Sequence, residues 1–379
     1  MGKYLKKIVV SAISFTEGGP LSIFKECLDY LSENLADSYE IIALVNDKSR
    51  FDYKNIRFCE FPLAKRAWLI RLYYEYIHFK YLSSMIKPYL WLSLHDITPN
   101  VNSEIQAVYC HNPSPFYSLS LREAYLGGIK FLAFNLFYRY LYAINIKKND
   151  YVIVQQNNLR NKFKKLTGAD RVVVAHPTVK MPFKANSSMP VENSFFYPAY
   201  PRVFKNFEVI CKAAEILLNQ GIKDFKIYFT IAGNENNYAK YVYNTFKYIN
   251  NIEFLGSVSR ERTFELYNKS GCVIFPSRLE TWGMPITEAK SFEKPIILAD
   301  LAYAHETLGR YDKVKFFDSD DPAALAIIMK EFIDKKVVYS STEPGSIDQP
   351  FAENWNKLFN ILLSGKQEEI KSAENTGVV

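Results

Sequence analysis

Residues 272–306 read CVIFPSRLETWGMPITEAKSFEKPIILADLAYAHE, and the rest of the chain is interpreted outward from them. Cys272 to Phe275 is a short apolar run, too short for a buried helix and suited to a buried parallel strand. Pro276 to Trp282 reads as loop. Gly283 relaxes the backbone, Pro285 suits a first helical turn, and the helix is expected to run to about Glu293. Pro295 reopens a strand over Ile296 to Ala299, which ends at Asp300. Strand, loop, helix and strand make a parallel crossover unit. Such units take ligands beyond the carboxyl ends of their strands. The backbone around Gly283, Met284 and Pro285 opens a helix, where an anion such as a diphosphate is favoured.

Two carboxylates bracket that turn. Glu280 lies in the loop, and Glu288 lies eight positions on, inside the helix. One reading makes them a loop carboxylate and a solvated helix position. The strand in front, the Gly-x-Pro turn and the Pro-Ile-Ile strand behind favour a site instead.

PSRLETWGMPITEA, residues 276–289, resembles the E-x7-E signature of retaining GT-B glycosyltransferases of the large GT4-like group. Thr281 and Trp282 stand where the usual form has Gly and Phe. LADLAYAHETLGRYDKVKFFDSDDPAALA, residues 298–326, resembles the family's continuation, in which a His/Arg–Glu pair sits in a loop before a Phe-Asp-Pro step into the next helix. The resemblance implies an α/β GT-B fold: two Rossmann-like domains facing a cleft, with a C-terminal helix crossing back to the first.

Length agrees with two domains. At 379 residues the chain exceeds what one core usually holds. Its five cysteines (27, 59, 110, 211 and 272) stand far apart with no C-x-x-C, which argues against a zinc cluster or disulfide framework and fits a reducing compartment. Ile8 to Ile13 is too short for a signal h-region, and no run of about 18 apolar residues offers a spanning helix. The expected location is cytoplasmic, with a peripheral place at the inner face of the plasma membrane as an extension. Residues 1–180 hold 24 Lys and Arg against 15 Asp and Glu, whereas the remainder carries two more acids than bases. That asymmetry suggests an anionic partner for the N-terminal half, or a merely soluble basic surface.

In chain order, Lys7 to Ser14 reads as a first buried strand. A Gly18-Gly19-Pro20 turn follows, then a helix from Leu21 to about Leu35 with Ile23, Phe24, Cys27, Leu28 and Leu31 on its apolar face. Gly-Gly alone is often just a turn; the resemblance, in which a Gly-rich loop faces the cleft, raises Gly18 and Gly19 to site candidates. Glu40 to Val45 is the second strand. Residues 62–92 and 122–148 mix Lys and Arg with Trp, Tyr, Phe and Leu, and two readings stand for them: core-facing helices with basic outer faces, or interfacial contact with anionic lipid. No nucleic-acid motif appears, so nucleic acid is not expected as a partner. Ala107 to Cys110 is a strand that delivers His111 into a loop stiffened by Pro113 and Pro115. Tyr151 to Gln155 and Val172 to Ala175 close the first domain. The boundaries expected are 1–182 with a helix at about 351–365, a polar hinge over 182–193, a second domain over 194–350, and a frayed tail over 366–379.

Ser194 to Tyr197 opens the second domain. A helix follows, with Phe207, Ile210, Ala214, Leu217 and Leu218 as its stripe and Gly221 as its stop. Arg202 and Lys205 stand just before it and suit a nucleotide diphosphate. Lys205-Asn206 match the family's Lys-Gly or Lys-Asn, while Tyr200 stands where its Arg would be. Asp224 to Ala232 is a strand ending at Gly233, and Ile252 to Leu255 leads to Gly256-Ser257-Val258, where relatives hold the base. Ser259 is expected to cap the next helix, Gly271 to end it, and Asp321-Pro322 to start a later one. Asp318-Ser319-Asp320 matches D-x-D and is read as strand-end and cap chemistry, because the family generally works without a metal. Phe351 to Leu363 is read as an aromatic-rich helix.

The resemblance implies a retaining transferase with a nucleotide-diphosphate sugar as co-substrate and no further cofactor. Glu280 would contact the transferred sugar, Glu288 the ribose, and Lys205, Arg202 and the Gly283–Met284 amides the diphosphate. His111 would lie near the sugar. The implied acceptor is a glycan or lipid-diphosphate-linked glycan of a bacterial surface polysaccharide. A GT-B epimerase or phosphorylase on soluble sugars and a non-catalytic glycan-binding module are the alternatives.

Overall fold

The structure, a computed structural model, describes residues 5–16, 18–178 and 191–364. It divides into two compact units: Met1–Pro115 with Phe137–Thr178 and Ile347–Val379, and Phe116–Leu136 with Val179–Ser346. Most of the expected hinge, Glu17 and the 366–379 tail lie outside the described residues.

The first unit carries β1 (Lys6–Ala12), β2 (Tyr39–Val45), β3 (Ile56–Glu60), β4 (Leu90–Ser93), β5 (Ile105–Cys110), β6 (Tyr151–Val154) and β7 (Val172–Ala175). Their order is β7-β6-β5-β4-β1-β2-β3, and every pairing is parallel. These strands are near-continuous apolar runs because both faces are covered. The helix Gly18–Asn34 buries the five residues its periodicity named: Ile23, Phe24, Cys27, Leu28 and Leu31. β4 is a strand inside the aromatic stretch expected to be helical. After β3 the chain returns to the far side of β1, where β4 pairs with it, so the order reverses between β1 and β4.

The second unit carries β8 (Val191–Tyr197), β9 (Lys226–Phe229), β10 (Ile252–Phe254), β11 (Ser270–Phe275), β12 (Ile296–Ala299), β13 (Tyr311–Phe317) and β14 (Ser340–Thr342). The order is β10-β9-β8-β11-β12-β13-β14, parallel except for the antiparallel β14 at the edge. Here the reversal falls between β8 and β11. The helix Met284–Ser291 joins β11 to β12 as a crossover.

Three local expectations change. β8 begins at Val191, inside the stretch read as hinge, because Ser194 pairs with Lys226 and Val191 with Ser270. Gly271 does not stop the preceding helix, which ends at Ser270 in extended backbone. Gly271 lies within β11, where an added Cβ would come 3.3 Å from the Ser194 carbonyl oxygen and 3.2 Å from the Phe332 ring. Phe351 and Ala352 are not helical: they pair with Val174 and Ala175 at the edge of the first sheet. The helix starts beyond Asn354, whose side chain accepts from Lys357 N at 2.9 Å. Trp355, Leu358, Phe359 and Leu362 then join the first unit's core.

Candidate functional site

In the second unit, two predicted residues meet at the point where strand order reverses. Lys205 follows β8 and Glu280 follows β11. Lys205 Nζ donates to Glu280 Oε1 at 2.5 Å, with both side chains largely buried. In an open α/β sheet this is where ligands bind. The loops are fixed from below. Tyr197 Oη donates to the Lys205 carbonyl at 2.7 Å, and Arg278 N donates to the Phe204 carbonyl at 2.7 Å. Asn206 adopts φ 57° as the helix Phe207–Asn219 begins, a conformation Asn or Gly tolerates best. That is a physical reason for Asn after Lys205.

Gly283 has φ 89° and precedes the helix Met284–Ser291. An added Cβ there would lie 3.1 Å from Ile286 Cδ1 and 3.7 Å from Glu280 Cγ, so the turn and the carboxylate are in close register. Met284 and Pro285 form the first turn. Trp282 is buried, and its Nε1 donates to Thr287 Oγ1 at 3.0 Å. Burial raises the Tyr197 and Tyr303 phenols, and the Glu280 carboxylate adds to both.

Glu288 is not a solvated helix position. It is buried, its Oε1 pairs with Arg260, and its Oε2 accepts from Tyr267 Oη at 2.9 Å. Burial raises its pKa, and Arg260 opposes that. Glu288 therefore stands eight residues from Glu280 but in a separate network. Arg202 is exposed, its guanidinium 6.0 Å from the Tyr200 ring, just before the turn that carries Lys205. Gly233 has φ 92°, and a Cβ there would strike Tyr243. Its N–H already donates to Glu235 Oε2 at 2.9 Å. Val258 is partly buried against the core.

The sequence reading passed over Arg278, whose guanidinium reaches Asp320 at 2.7 Å and Glu123 at 3.4 Å. Asp318 Oδ1 accepts from Asp320 N at 2.9 Å, and Asp321 accepts from Ala323 N and Ala324 N as the expected cap. Among the described residues no group of three His, Cys, Asp or Glu is placed to hold a metal ion. His305 and Glu306 sit on the helix Ala302–Leu308 rather than in a loop, and His305 Nε2 lies 2.6 Å from Asp300 Oδ1.

In the first unit, His111 leaves β5 stacked on Tyr109 at 4.5 Å between centroids, with Phe15 edge-on at 5.5 Å. Its amide donates to Asp96 Oδ1 at 2.5 Å, and Asp96 also accepts from Tyr138 and Tyr142. Burial pulls the imidazole down to about 4, with Asp96 opposing, so it is neutral at physiological pH. The His111 Nε2 has no hydrogen-bond partner among the described residues. Gly18 has φ 74° beyond the end of β1, a conformation suited to glycine; a Cβ on Gly19 would meet nothing.

The family model "Glycosyl transferases group 1" matches residues 182–343, the stretch that holds Lys205, Glu280 and Glu288. No curated protein sequence matches the chain. Among solved structures, the lipopolysaccharide outer core galactosyltransferase WaaB, in apo form, aligns with TM-score 0.62 at 12% identity, covering 96% of this chain and 100% of that one. HepE of Anabaena, in complex with UDP-glucose, aligns with TM-score 0.59 at 14% identity, covering 87% and 90%. TarM of S. aureus, in a complex containing UDP, aligns with TM-score 0.52 at 13% identity; 68% of this chain spans about half, 51%, of that one. Two parallel-rich Rossmann-like sheets with this order define the GT-B fold.

Proposed function

We propose that the chain is a retaining, metal-independent glycosyltransferase that moves a sugar from a nucleotide-diphosphate donor to an acceptor hydroxyl. The observation that carries this reading is the Lys205–Glu280 pair at the reversal of the second sheet, inside the stretch that the family model matches. The bond from the sugar's anomeric carbon to the diphosphate breaks, and the diphosphate leaves with the electron pair. A new bond to the acceptor oxygen forms on the same face as the acceptor hydroxyl gives its proton to the departing diphosphate. Lys205, with Arg202 and the first turn at Gly283–Met284, stabilises the departing negative charge. When the diphosphate engages Lys205, the Glu280 carboxylate is released toward the sugar. Glu288 positions the ribose end, and neutral His111 orients a sugar or acceptor hydroxyl.

The acceptor we propose is a glycan or lipid-linked glycan of a cell-surface polysaccharide, reached at an anionic membrane. Leu69, Tyr73, Ile77, Tyr81 and Met85 recur every four residues, and each is at least half exposed. Lys65, Arg66, Lys80 and Lys87 are exposed around them, and the one acid of residues 62–90, Glu75, is buried. Apolar and cationic side chains without exposed acids suit anionic lipid. No helix among the described residues is long and apolar enough to cross a membrane.

The test is thermal shift against a panel of nucleoside diphosphates, followed by a donor-hydrolysis screen with and without EDTA. One diphosphate should raise the melting temperature, and hydrolysis should persist under chelation. No response to any nucleotide overturns the transferase reading. Loss on chelation with recovery on manganese or magnesium overturns metal independence.

A further inference from the structure

The first sheet has its own reversal point, between β1 and β4, and a cavity of about 370 Å³ opens beside it, between the segment after β1 and the segment after β3. Phe15 and Thr16, just beyond β1, form one wall; Lys65, Trp68 and Arg71 form the other. Among the described lining residues none is acidic. Arg71 is nine-tenths buried, stacks 5.0 Å from the Trp68 ring, and anchors through Nη2 to the His95 carbonyl at 2.7 Å and to His95 Nδ1 at 3.1 Å. Its Nε has no hydrogen-bond partner, and the Glu75 carboxyl oxygen stands 3.9 Å away.

Burial favours the neutral forms of the groups beneath it. Burial pushes the Glu75 carboxyl up to about 8, with Arg71 opposing, and holds the His95 imidazole well below its ordinary value. The network is consistent with that state: Arg71 donates to His95 Nδ1, so His95 Nε2–H faces Ser11 Oγ at 2.9 Å. A largely buried guanidinium thus faces a cavity with its Nε unbonded and the Glu75 carboxyl no nearer than 3.9 Å, and the Lys65 ammonium, held by Thr16 Oγ1, stands at its side. An oxyanion entering the cavity would accept from the guanidinium and the ammonium together. The exposed run Leu69, Tyr73, Ile77 and Tyr81 begins one residue beyond Trp68, so an apolar path leads from the cavity.

We propose that this cavity binds the phosphate or diphosphate head group of an amphiphilic acceptor, with Arg71 and Lys65 as its cationic contacts and Trp68 against the first apolar segment. The proposal rests on the transferase reading only in calling the ligand an acceptor.

The experiment is isothermal titration of the full chain with farnesyl diphosphate, farnesol and inorganic diphosphate, in the wild type and in Lys65→Ala, Arg71→Lys and Lys205→Ala. Farnesyl diphosphate should bind at least tenfold tighter than either farnesol or inorganic diphosphate. Lys65→Ala should weaken it at least tenfold, Arg71→Lys less, and Lys205→Ala not at all. Lys65 is exposed, so its variant stays informative if Arg71 substitutions fail to fold. No binding of farnesyl diphosphate, or binding indifferent to Lys65→Ala, overturns the site. Inorganic diphosphate binding equally tightly overturns the amphiphile, and loss through Lys205→Ala assigns the anion to the second unit instead. None of these readouts needs turnover, so failure of the nucleotide response above leaves them intact.

Discussion

Each sheet reverses its strand order once, and the two reversal points differ in their electrostatics. At β8 and β11 the loops deliver Lys205 and Glu280, opposite charges already paired at 2.5 Å. Beside β1 and β4 the helix Trp68–Tyr73, which follows β3, sets Arg71 against His95 and Glu75, a cation over groups that burial pushes toward their neutral forms. Topology thus sets where a ligand can bind, and side chains set what it is. A paired site binds an anion by exchanging partners and leaves a carboxylate free for a second task. A cation beside a carboxyl that burial pushes toward its protonated form can bind an anion without an ionised carboxylate to release.

The sharpest way to break this contrast is at Glu280. If its carboxylate acts on charge that develops only as the sugar leaves, Glu280→Gln should lower kcat by roughly 100-fold or more and leave nucleoside diphosphate affinity nearly intact. Near-normal turnover would remove Glu280 from the chemistry and make His111 the next residue to test. Lys205→Ala should act on binding instead, weakening nucleoside diphosphate affinity by about 1.5–3 kcal/mol, the range for a hydrogen bond to a charged group. Calorimetry with unchanged affinity would take Lys205 out of the site.

Glu288 needs a different design. Because it is buried and bonded to Arg260 and Tyr267, Glu288→Ala should cost about 1.5–3 kcal/mol of fold stability, as expected when a charged hydrogen-bonding group is lost from its partners. Glu288→Gln keeps the shape and can still accept from Tyr267, so it isolates any effect on the nucleotide. A melting temperature unchanged in the alanine variant would show that the network contributes nothing measurable.

Much of this was legible because strands and helix faces leave local marks. The five buried residues of Gly18–Asn34 follow helical spacing, and Cys272–Phe275 is a continuous apolar run between a helix and a proline. Glu280 and Lys205 were legible from the turns that carry them, although their pairing was not. β4 was hidden because Leu90–Ser93 sits in a run of aromatics whose other members are helical. Arg260, Arg278, Arg71 and His95 carried no signal. Arg260 meets Glu288 from 28 residues away and His95 meets Ser11 from 84, and such partners are set by tertiary packing, not by local pattern.

The smallest expected effect bears on the neutral layer of the first unit. Glu75 ordinarily titrates at 4.5 and is raised by burial to about 8, with Arg71 lowering it and His95 Nδ1 3.2 Å away. The folded state then keeps a proton that the unfolded chain loses. That stabilisation is complete below about pH 4.5 and is lost as pH rises through 8. His111 acts in the opposite sense: its imidazole is held at about 4 against an ordinary 6.5, so its share is present above 6.5 and lost as pH falls through 4. The two slopes oppose each other from about 4.5 to 6.5, and above 6.5 the Glu75 slope stands alone. Over the 1.5 or so units to pH 8, one proton of difference amounts to at most roughly 2 kcal/mol. Wild-type stability from denaturant titrations should therefore fall between pH 6.5 and 8.5. Glu75→Gln, which cannot ionise, should flatten that fall whatever it does to stability at pH 6.5. Parallel slopes in the two proteins would mean that Glu75 is already charged, that Arg71 has its counter-ion, and that the cavity above it has no unmet charge to offer an anion.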